Sequence, residues 1–202
     1  MMSESIAYNI EWDDEEYDTV NTVAQALLKD QYPIWSTLLT KISNNPDSFE
    51  EEDQYDISEI LADEEGDLRN GNLTNIFINF LYAEGIIELI DWKGEDDEGQ
   101  LAEFATKRFQ ALTKNHSLAA ELREQLINLT KEEEIAKACS NGESYLDEVF
   151  ERIQSKLNEH DFEIAHINIG SDTYHIFIAS KADYERIKDI DTPLLTMMNF
   201  IS

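Results

Sequence analysis

The sequence predicts an α+β protein that is mostly helical, with a small sheet of about three strands including a C-terminal β-hairpin. Apolar residues recur at helical spacing through most of residues 14–159, which is typical of amphipathic helices packed on a core. The spacing changes to alternation over 162–169 and 173–179, and 86–92 adds a third strand. With 202 residues, of which 42% are hydrophobic, the chain is expected to bury a core as one domain over 1–202.

The first half of the chain predicts three helices separated by an acidic connection. The first covers about 14–30, with Asp13 or Asp14 as its N-cap and further acids that suit the helix dipole. Pro33 opens the second, which ends at Asn44. The third is apolar on nearly every side and runs from Thr74 to about Glu84, before Gly85. Between them, 43–56 predicts a flexible loop, and a short helical stripe follows at Ile57, Ile60 and Leu61.

The second half predicts four more helices, then the hairpin and a closing helix. Apolar stripes place helices over about 100–114, 117–129 and 143–159. Thr130-Lys131-Glu132-Glu133 has the pattern of a capping box, which would start a helix ending near Asn141. After the hairpin, 181–190 predicts a helix and 193–201 an apolar tail.

The hairpin predicts a possible histidine site. Gly170-Ser171 favours a two-residue type II′ turn, in which His166 faces His175 on one side of the sheet. Two facing imidazoles can supply two metal ligands, or a base and the group that orients it. Local spacing offers no third ligand, and cross-strand pairs commonly serve packing alone. We therefore expect no bound metal and no cofactor.

The distribution of charge predicts a basic protein as partner. The net charge is −29, and residues 1–100 hold 26 acids and four bases, against 18 acids and 11 bases in 101–202. Acid gathered in one region produces a field that selects basic proteins, whereas nucleic acid requires a basic face. No nucleic-acid partner is therefore expected. The predicted partner surface consists of two acidic segments and a neighbouring tryptophan: Glu50, Glu51, Glu52, Asp53, Trp92, Glu95, Asp96 and Asp97.

Four observations predict a cytoplasmic protein that does not bind membranes. The first residues lack the basic and apolar regions of a signal peptide, and no apolar run approaches the length of a membrane span. The acidic charge opposes binding to anionic lipid. Cys139 is the one cysteine, which excludes an internal disulfide and suits a reducing compartment. Near the end of a predicted helix, where the dipole disfavours a thiolate, Cys139 is expected to be buried and structural.

Two segments together resemble a known family. One is a strand that closes on Asp91-Trp92-Lys93, and the other is the hairpin containing Ser171-Asp172-Thr173-Tyr174. The combination resembles a family of uncharacterised bacterial proteins, a domain of unknown function, over about residues 75–190. The resemblance implies no activity and no catalytic residues. Asn168 and Gly170 stand where an acid is expected before Ser-Asp, which argues against a carboxylate cluster in the hairpin.

Two classes of function remain open. The first is a non-enzymatic binding protein with an acidic surface, of the kind represented by immunity proteins and nucleic-acid mimics. The second is a small-ligand or enzymatic domain, whose site would comprise Asp91, Asp172, Tyr174, His166 and His175. A contiguous acidic face without a deep pocket favours the first class, and a pocket lined by these residues favours the second. A third interpretation assigns the acid to solubility alone.

Overall fold

The α+β class is confirmed by a computed structural model of the chain, which is mostly helical with one small antiparallel sheet. The structure describes residues 12–45, 48–49, 54–61, 72–91, 93–139 and 145–199. The chain divides into two compact units, Met1–Glu84 and Gly85–Ser202. The single domain expected from the sequence stays a prediction. Of the loop predicted over 43–56, residues 46–47 and 50–53 lie outside the described residues.

The described part of Met1–Glu84 is helical. Its elements are α1 (Asp14–Leu27), a 3₁₀ turn (Lys29–Gln31), α2 (Tyr32–Asn44), α3 (Ile57–Leu61) and α4 (Asn72–Ala83). Asp13 caps α1 as predicted, since its carboxylate accepts a hydrogen bond of 2.9 Å from the Glu16 amide. Trp35 of α2 is fully buried, and its ring centre lies 5.0 Å from that of Phe77 and 5.2 Å from that of Phe80. This aromatic cluster packs α2 against α4.

A buried acid connects α1 to α4. Glu16 is 5% exposed, and its Oε1 accepts hydrogen bonds of 2.8 Å from both the backbone amide and the hydroxyl of Thr74. Thr74 lies in the first turn of α4, where the helix dipole favours an anion. At the other end of α4, Gly85 adopts a positive φ of 64°, which agrees with its predicted role as the residue that stops this helix.

Gly85–Ser202 combines the sheet with helices. Its elements are β1 (Ile87–Asp91), α5 (Gln100–Thr113), α6 (His116–Leu129), α7 (Glu132–Ala138), α8 (Tyr145–Asn158), β2 (Phe162–Asn168), β3 (Thr173–Ser180), α9 (Lys181–Tyr184) and β4 (Thr196–Asn199). The strands are ordered β1-β3-β2-β4 and all pairs are antiparallel. Among the described residues, no helix of either unit is long and apolar enough to cross a bilayer.

The sheet has four strands where the sequence predicted about three. β4 lies in the segment read as an apolar tail, and it pairs with β2 so that Met198 is opposite His166. Four residues are too few for a clear alternating pattern, and the strand is defined by its partner rather than by its own sequence. On its other side, the Met197 amide donates to the Ile190 carbonyl at 2.9 Å.

The two faces of the sheet are covered differently. One face contributes Ile90, Ile164, Ile176 and Ile178 to a buried cluster with apolar side chains of α5, α6, α7 and α8. On the opposite face, the ring of Tyr184 from α9 lies 6.4 Å from that of Phe177. Because both faces are covered, side chains in the middle of β2 and β3 are buried whichever way they point.

Two helix predictions in this unit are wrong in detail. The Thr130 hydroxyl bonds the Leu126 carbonyl of α6 at 3.0 Å, and α7 begins after Lys131 without a side-chain cap. The helix predicted over 181–190 ends at Tyr184. Several amides that follow bond the carbonyl three residues earlier, such as that of Ile187 to Tyr184, which is typical of 3₁₀ turns. Local sequence favours a helix in both places, and the competing hydrogen bonds decide where each helix begins or ends.

Candidate functional site

Part of the predicted partner surface lies outside the described residues. This is the case for Glu50, Glu51, Glu52, Asp53 and Trp92. The remaining members, Glu95, Asp96 and Asp97, lie in the loop between β1 and α5. Asp96 and Asp97 are exposed, whereas Glu95 is half-buried.

The Glu95 carboxylate accepts hydrogen bonds from α5 and α8 and so fixes its loop to both helices. One oxygen of its carboxylate accepts a hydrogen bond of 2.7 Å from the Leu101 amide in the first turn of α5. The other accepts one of 2.9 Å from the Tyr145 hydroxyl of α8. A carboxylate at a helix N-terminus is favoured by the dipole and by the unpaired amides there. Glu95 therefore has a structural role in capping α5, and the exposed acids of this loop are Asp96, Asp97 and Glu98.

The two aspartates of the alternative ligand site lie at the same end of the sheet. Asp91 ends β1 opposite Thr173 of β3, and the exposed Asp172 immediately precedes Thr173 in the hairpin loop. Asp91 is exposed, and its carboxylate accepts a hydrogen bond of 2.8 Å from the Lys93 amide. The structure thus brings these two carboxylates to one region, as the alternative hypothesis requires, but Asp91 already closes a local turn.

The predicted hairpin register is wrong by one residue. His175 is opposite Ile167 and His166 is opposite Ile176, so the two histidines do not face each other. The loop is 169–172 rather than Gly170-Ser171, because the Asn168 carboxamide accepts a hydrogen bond of 2.8 Å from the Gly170 amide and widens the turn. A shift of one residue exchanges the two faces of a strand. His166 therefore lies on the face that carries Tyr174, and His175 lies on the other.

Both histidines are buried, and burial favours their neutral form. His166 is 7% exposed and His175 is 6% exposed. Burial, together with repulsion from His175, lowers the pKa of His166 to about 4, and burial lowers the pKa of His175. The His166 ring meets the Tyr174 ring edge-on, with centres 5.1 Å apart. Of the five residues of the alternative site, the structure exposes the two aspartates and places the histidines within the sheet.

The described part of the chain offers little support for a metal site or a reactive cysteine. No cluster there of three or more His, Cys, Asp or Glu side chains could hold a metal ion, and the absence of a metal stays a prediction. Cys139 follows the last residue of α7, as expected for a thiol at the unfavourable end of a helix dipole. Its side chain is half-buried against the apolar cluster of Gly85–Ser202.

The first turns of α1 form an acidic surface that is not part of the predicted partner surface. Asp14, Glu15 and Asp18 are exposed there, and Tyr17 is 39% exposed. The neighbouring Trp12 indole donates a hydrogen bond of 3.0 Å to the Ser43 hydroxyl, which holds its ring in place. Trp12 and Tyr17 line a shallow depression together with Asp13 and Asp14. The signal in the sequence is a run of acids flanked by two aromatic residues, although acids at the start of a helix are also expected from the helix dipole alone.

Comparison with known proteins places the chain in a family. Neither the curated proteins nor the solved structures contain a match to the chain. A family model described as a domain of unknown function, DUF6630, matches residues 19–194. The match confirms the expected resemblance to an uncharacterised family and extends it to both compact units. The chain belongs to the family of the domain of unknown function DUF6630.

Proposed function

We propose that the chain is a non-enzymatic binding protein of the cytoplasm whose acidic surface engages a basic protein, in the manner of an immunity protein or a nucleic-acid mimic. The observation that carries the proposal is the exposed acidic surface of α1, formed by Asp14, Glu15 and Asp18 beside Tyr17. Residues 1–84 contain 20 acids and three bases. The field of this segment would attract cationic proteins and speed their association.

The helix dipole does not account for the whole acidic surface of α1. Asp14 and Glu15 lie in the first turn, where a negative charge stabilises the helix. Asp18 lies beyond that turn and one turn from Asp14, and like charges at this spacing destabilise an isolated helix by a few tenths of a kcal/mol. The exposed Tyr17 beside this charge supports a role of the surface in recognition, because tyrosine is enriched among the residues that dominate binding energy.

The proposal predicts that neutralising the acids slows association with a basic partner. Three forms carry amide substitutions: D14N/E15Q/D18N, E50Q/E51Q/E52Q/D53N, and the matched control E121Q/E124Q on exposed positions of α6. Each is used at low salt to recover proteins from lysate, and association rates are then measured with the recovered protein. We expect basic proteins bound by the wild type and the control, and slower association for the first two forms, with smaller changes in dissociation.

Two results of this experiment would contradict the proposal. If all four proteins recover the same material in the same amount at low salt, the acidic surface does not select a partner and its role is solubility. Recovery of a partner that is not basic, with association insensitive to salt, would also contradict the proposal, since screened charges at about 0.15 M salt act over only about 8 Å.

A further inference from the structure

The shallow depression beside α1 is lined by two aromatic residues and two acids. Trp12 and Tyr17 form its aromatic walls, Asp13 and Asp14 complete the lining, and its volume is about 570 Å³. Tyr17 is 39% exposed and Trp12 is half-buried, so a ligand can reach both residues. The face of an aromatic ring is electron-rich and attracts cations. The lining of this depression therefore favours a cationic group over an anionic or a neutral one.

Both aromatic walls are positioned by hydrogen bonds in the free protein. The Trp12 indole N–H donates a hydrogen bond of 3.0 Å to the Ser43 hydroxyl of α2. Because the indole has no second polar group, its ring offers a ligand only the π system. Tyr17 lies one turn into α1, where its amide donates a hydrogen bond of 2.9 Å to the Asp13 carbonyl. A site that is ordered before binding loses little entropy when a ligand binds.

The charge around the depression is negative, and described residues carry it. Residues 12–28 contain five acids and no base. The Asp13 carboxylate accepts a hydrogen bond from the Glu16 amide and so caps α1, while Asp14, Glu15 and Asp18 are exposed. The positive end of the helix dipole amounts to about half an elementary charge. The three exposed carboxylates outweigh it, so a cation is attracted to this end of α1.

Among the cationic side chains of a protein partner, arginine fits this lining best. Its planar guanidinium stacks on aromatic rings and forms two parallel hydrogen bonds with one carboxylate. The lysine ammonium is compact and strongly hydrated, and it has no plane to stack. Arginine is also enriched among the residues that dominate the binding energy of interfaces. Aromatic walls beside an exposed aspartate match the guanidinium in both shape and charge.

We propose that the depression lined by Trp12 and Tyr17 is a subsite for an arginine side chain of the basic partner, with the guanidinium stacked on the aromatic walls and bonded to Asp14. This inference rests on the proposed function and adds the position and the chemistry of one contact. The exposed acids of α1 attract the partner, and the stacked arginine retains it.

The test uses the full-length chain and three blocked tripeptides, acetyl-Gly-X-Gly-amide, in which X is arginine, lysine or citrulline. Citrulline is the matched control, because it has the shape of arginine without the charge. In an NMR titration at low salt, the Trp12 indole N–H and the amides of 13–18 should shift with the arginine peptide. Its affinity should exceed that of the citrulline peptide at least about fivefold, as expected for a charged hydrogen bond, and should also exceed that of the lysine peptide.

Variants of Tyr17 test the aromatic wall. Tyr17→Leu should weaken binding of the arginine peptide about two- to fivefold, as expected for losing a cation–π contact at an exposed site. Tyr17→Phe retains the ring and should bind like the wild type. Tyr82→Leu is the matched control at a tyrosine that is 52% exposed on α4, and it should also bind like the wild type. Because the shift map is recorded on the wild type, the test does not depend on the folding of a variant.

The outcomes separate this inference from the proposed function. Equal affinities for the arginine and citrulline peptides, a preference for lysine, or shifts confined to residues outside 12–18 would overturn the subsite. If a basic partner is recovered from lysate and Tyr17→Leu binds it as tightly as the wild type, the proposed function stands and the subsite is wrong. If the arginine peptide binds as expected but no basic protein is recovered, the subsite stands and the proposed function fails.

Discussion

At the scale of single residues, acidic side chains have different roles in this protein. Glu16 and Glu95 are used to cap helices α4 and α5, and each accepts two hydrogen bonds. Asp14 and Asp96 are exposed. The sequence alone does not distinguish these roles, because Glu16 and Glu95 each accept a hydrogen bond from a residue that is distant along the chain, Thr74 and Tyr145 respectively. Tertiary structure therefore decides which acids remain exposed.

His166 makes the stability of the protein depend on pH. Its pKa is about 4 in the folded chain and 6.5 in the unfolded one, so the unfolded chain binds more protons between these values. The stabilising effect of the neutral imidazole is complete above about pH 6.5 and is lost as the pH falls towards 4. The difference corresponds to about 3 kcal/mol in the free energy of unfolding. Urea unfolding at several pH values in this range measures the loss.

A matched pair of variants isolates the contribution of His166. In His166→Gln the dependence of stability on pH should become shallower, with a residual slope from His175, whose pKa is also lowered. His116→Gln changes an exposed histidine at the start of α6 and should retain the wild-type slope. Equal slopes in all three proteins would show that protonation of His166 does not oppose folding.

At the scale of elements, Gln154 joins α8 to the edge of β2. Among the described residues, the strand β4 pairs with β2 from Ala165 onward and not with the backbone of Phe162–Ile164. The Gln154 carboxamide is buried, accepts a hydrogen bond of 2.9 Å from the Ile164 amide and donates one of 3.3 Å to the Phe162 carbonyl. A helix side chain thus satisfies backbone groups of β2 that are costly to bury unpaired.

Replacing this carboxamide should loosen the edge of β2. Gln154→Leu keeps a similar volume but leaves both backbone groups without their partner, at a cost of about 1–3 kcal/mol in the free energy of unfolding. Hydrogen exchange at the Ile164 amide should accelerate more than exchange elsewhere in the sheet. The control is Gln125→Leu on the half-buried side of α6, which should change little. Unchanged protection of Ile164 would mean that another group satisfies its amide.

The success of prediction differs between helices and strands for a physical reason. The bounds of α1, α5 and α8 agree with the predicted ranges within a few residues, because helical hydrogen bonds join residues close in sequence and one buried face imposes the period. The position of β4 and the hairpin register depend on partners across the sheet and on the Asn168 side chain. A register that differs by one residue changes which face carries His175, and with it the chemistry of the candidate site.

At the scale of the whole molecule, the net charge of −29 opposes compaction. Raising the salt concentration from about 0.01 M to about 0.15 M shortens the screening length from about 30 Å to about 8 Å. We therefore expect the midpoint of urea unfolding to rise with sodium chloride over this range, because self-repulsion is relieved more in the compact state than in the extended chain.

The amide variant E50Q/E51Q/E52Q/D53N provides the comparison for this salt effect. With four fewer charges, it should be as stable as the wild type or slightly more stable at low salt, and its midpoint should rise less with salt. A midpoint that falls with salt in the wild type would indicate that favourable ion pairs outweigh repulsion.

By itself, the sequence determined the class of the fold, the position of most helices, the excess of acid and the resemblance to an uncharacterised family. These properties follow from composition and from short-range periodicity, which any segment carries before it folds. Only the tertiary structure decided that Glu16 accepts hydrogen bonds from Thr74 at the start of α4, that Glu95 accepts one from the Tyr145 hydroxyl, and that β4 pairs with β2. Each of these depends on contacts between segments distant in the chain, where packing and hydrogen bonding select among arrangements that local sequence permits equally.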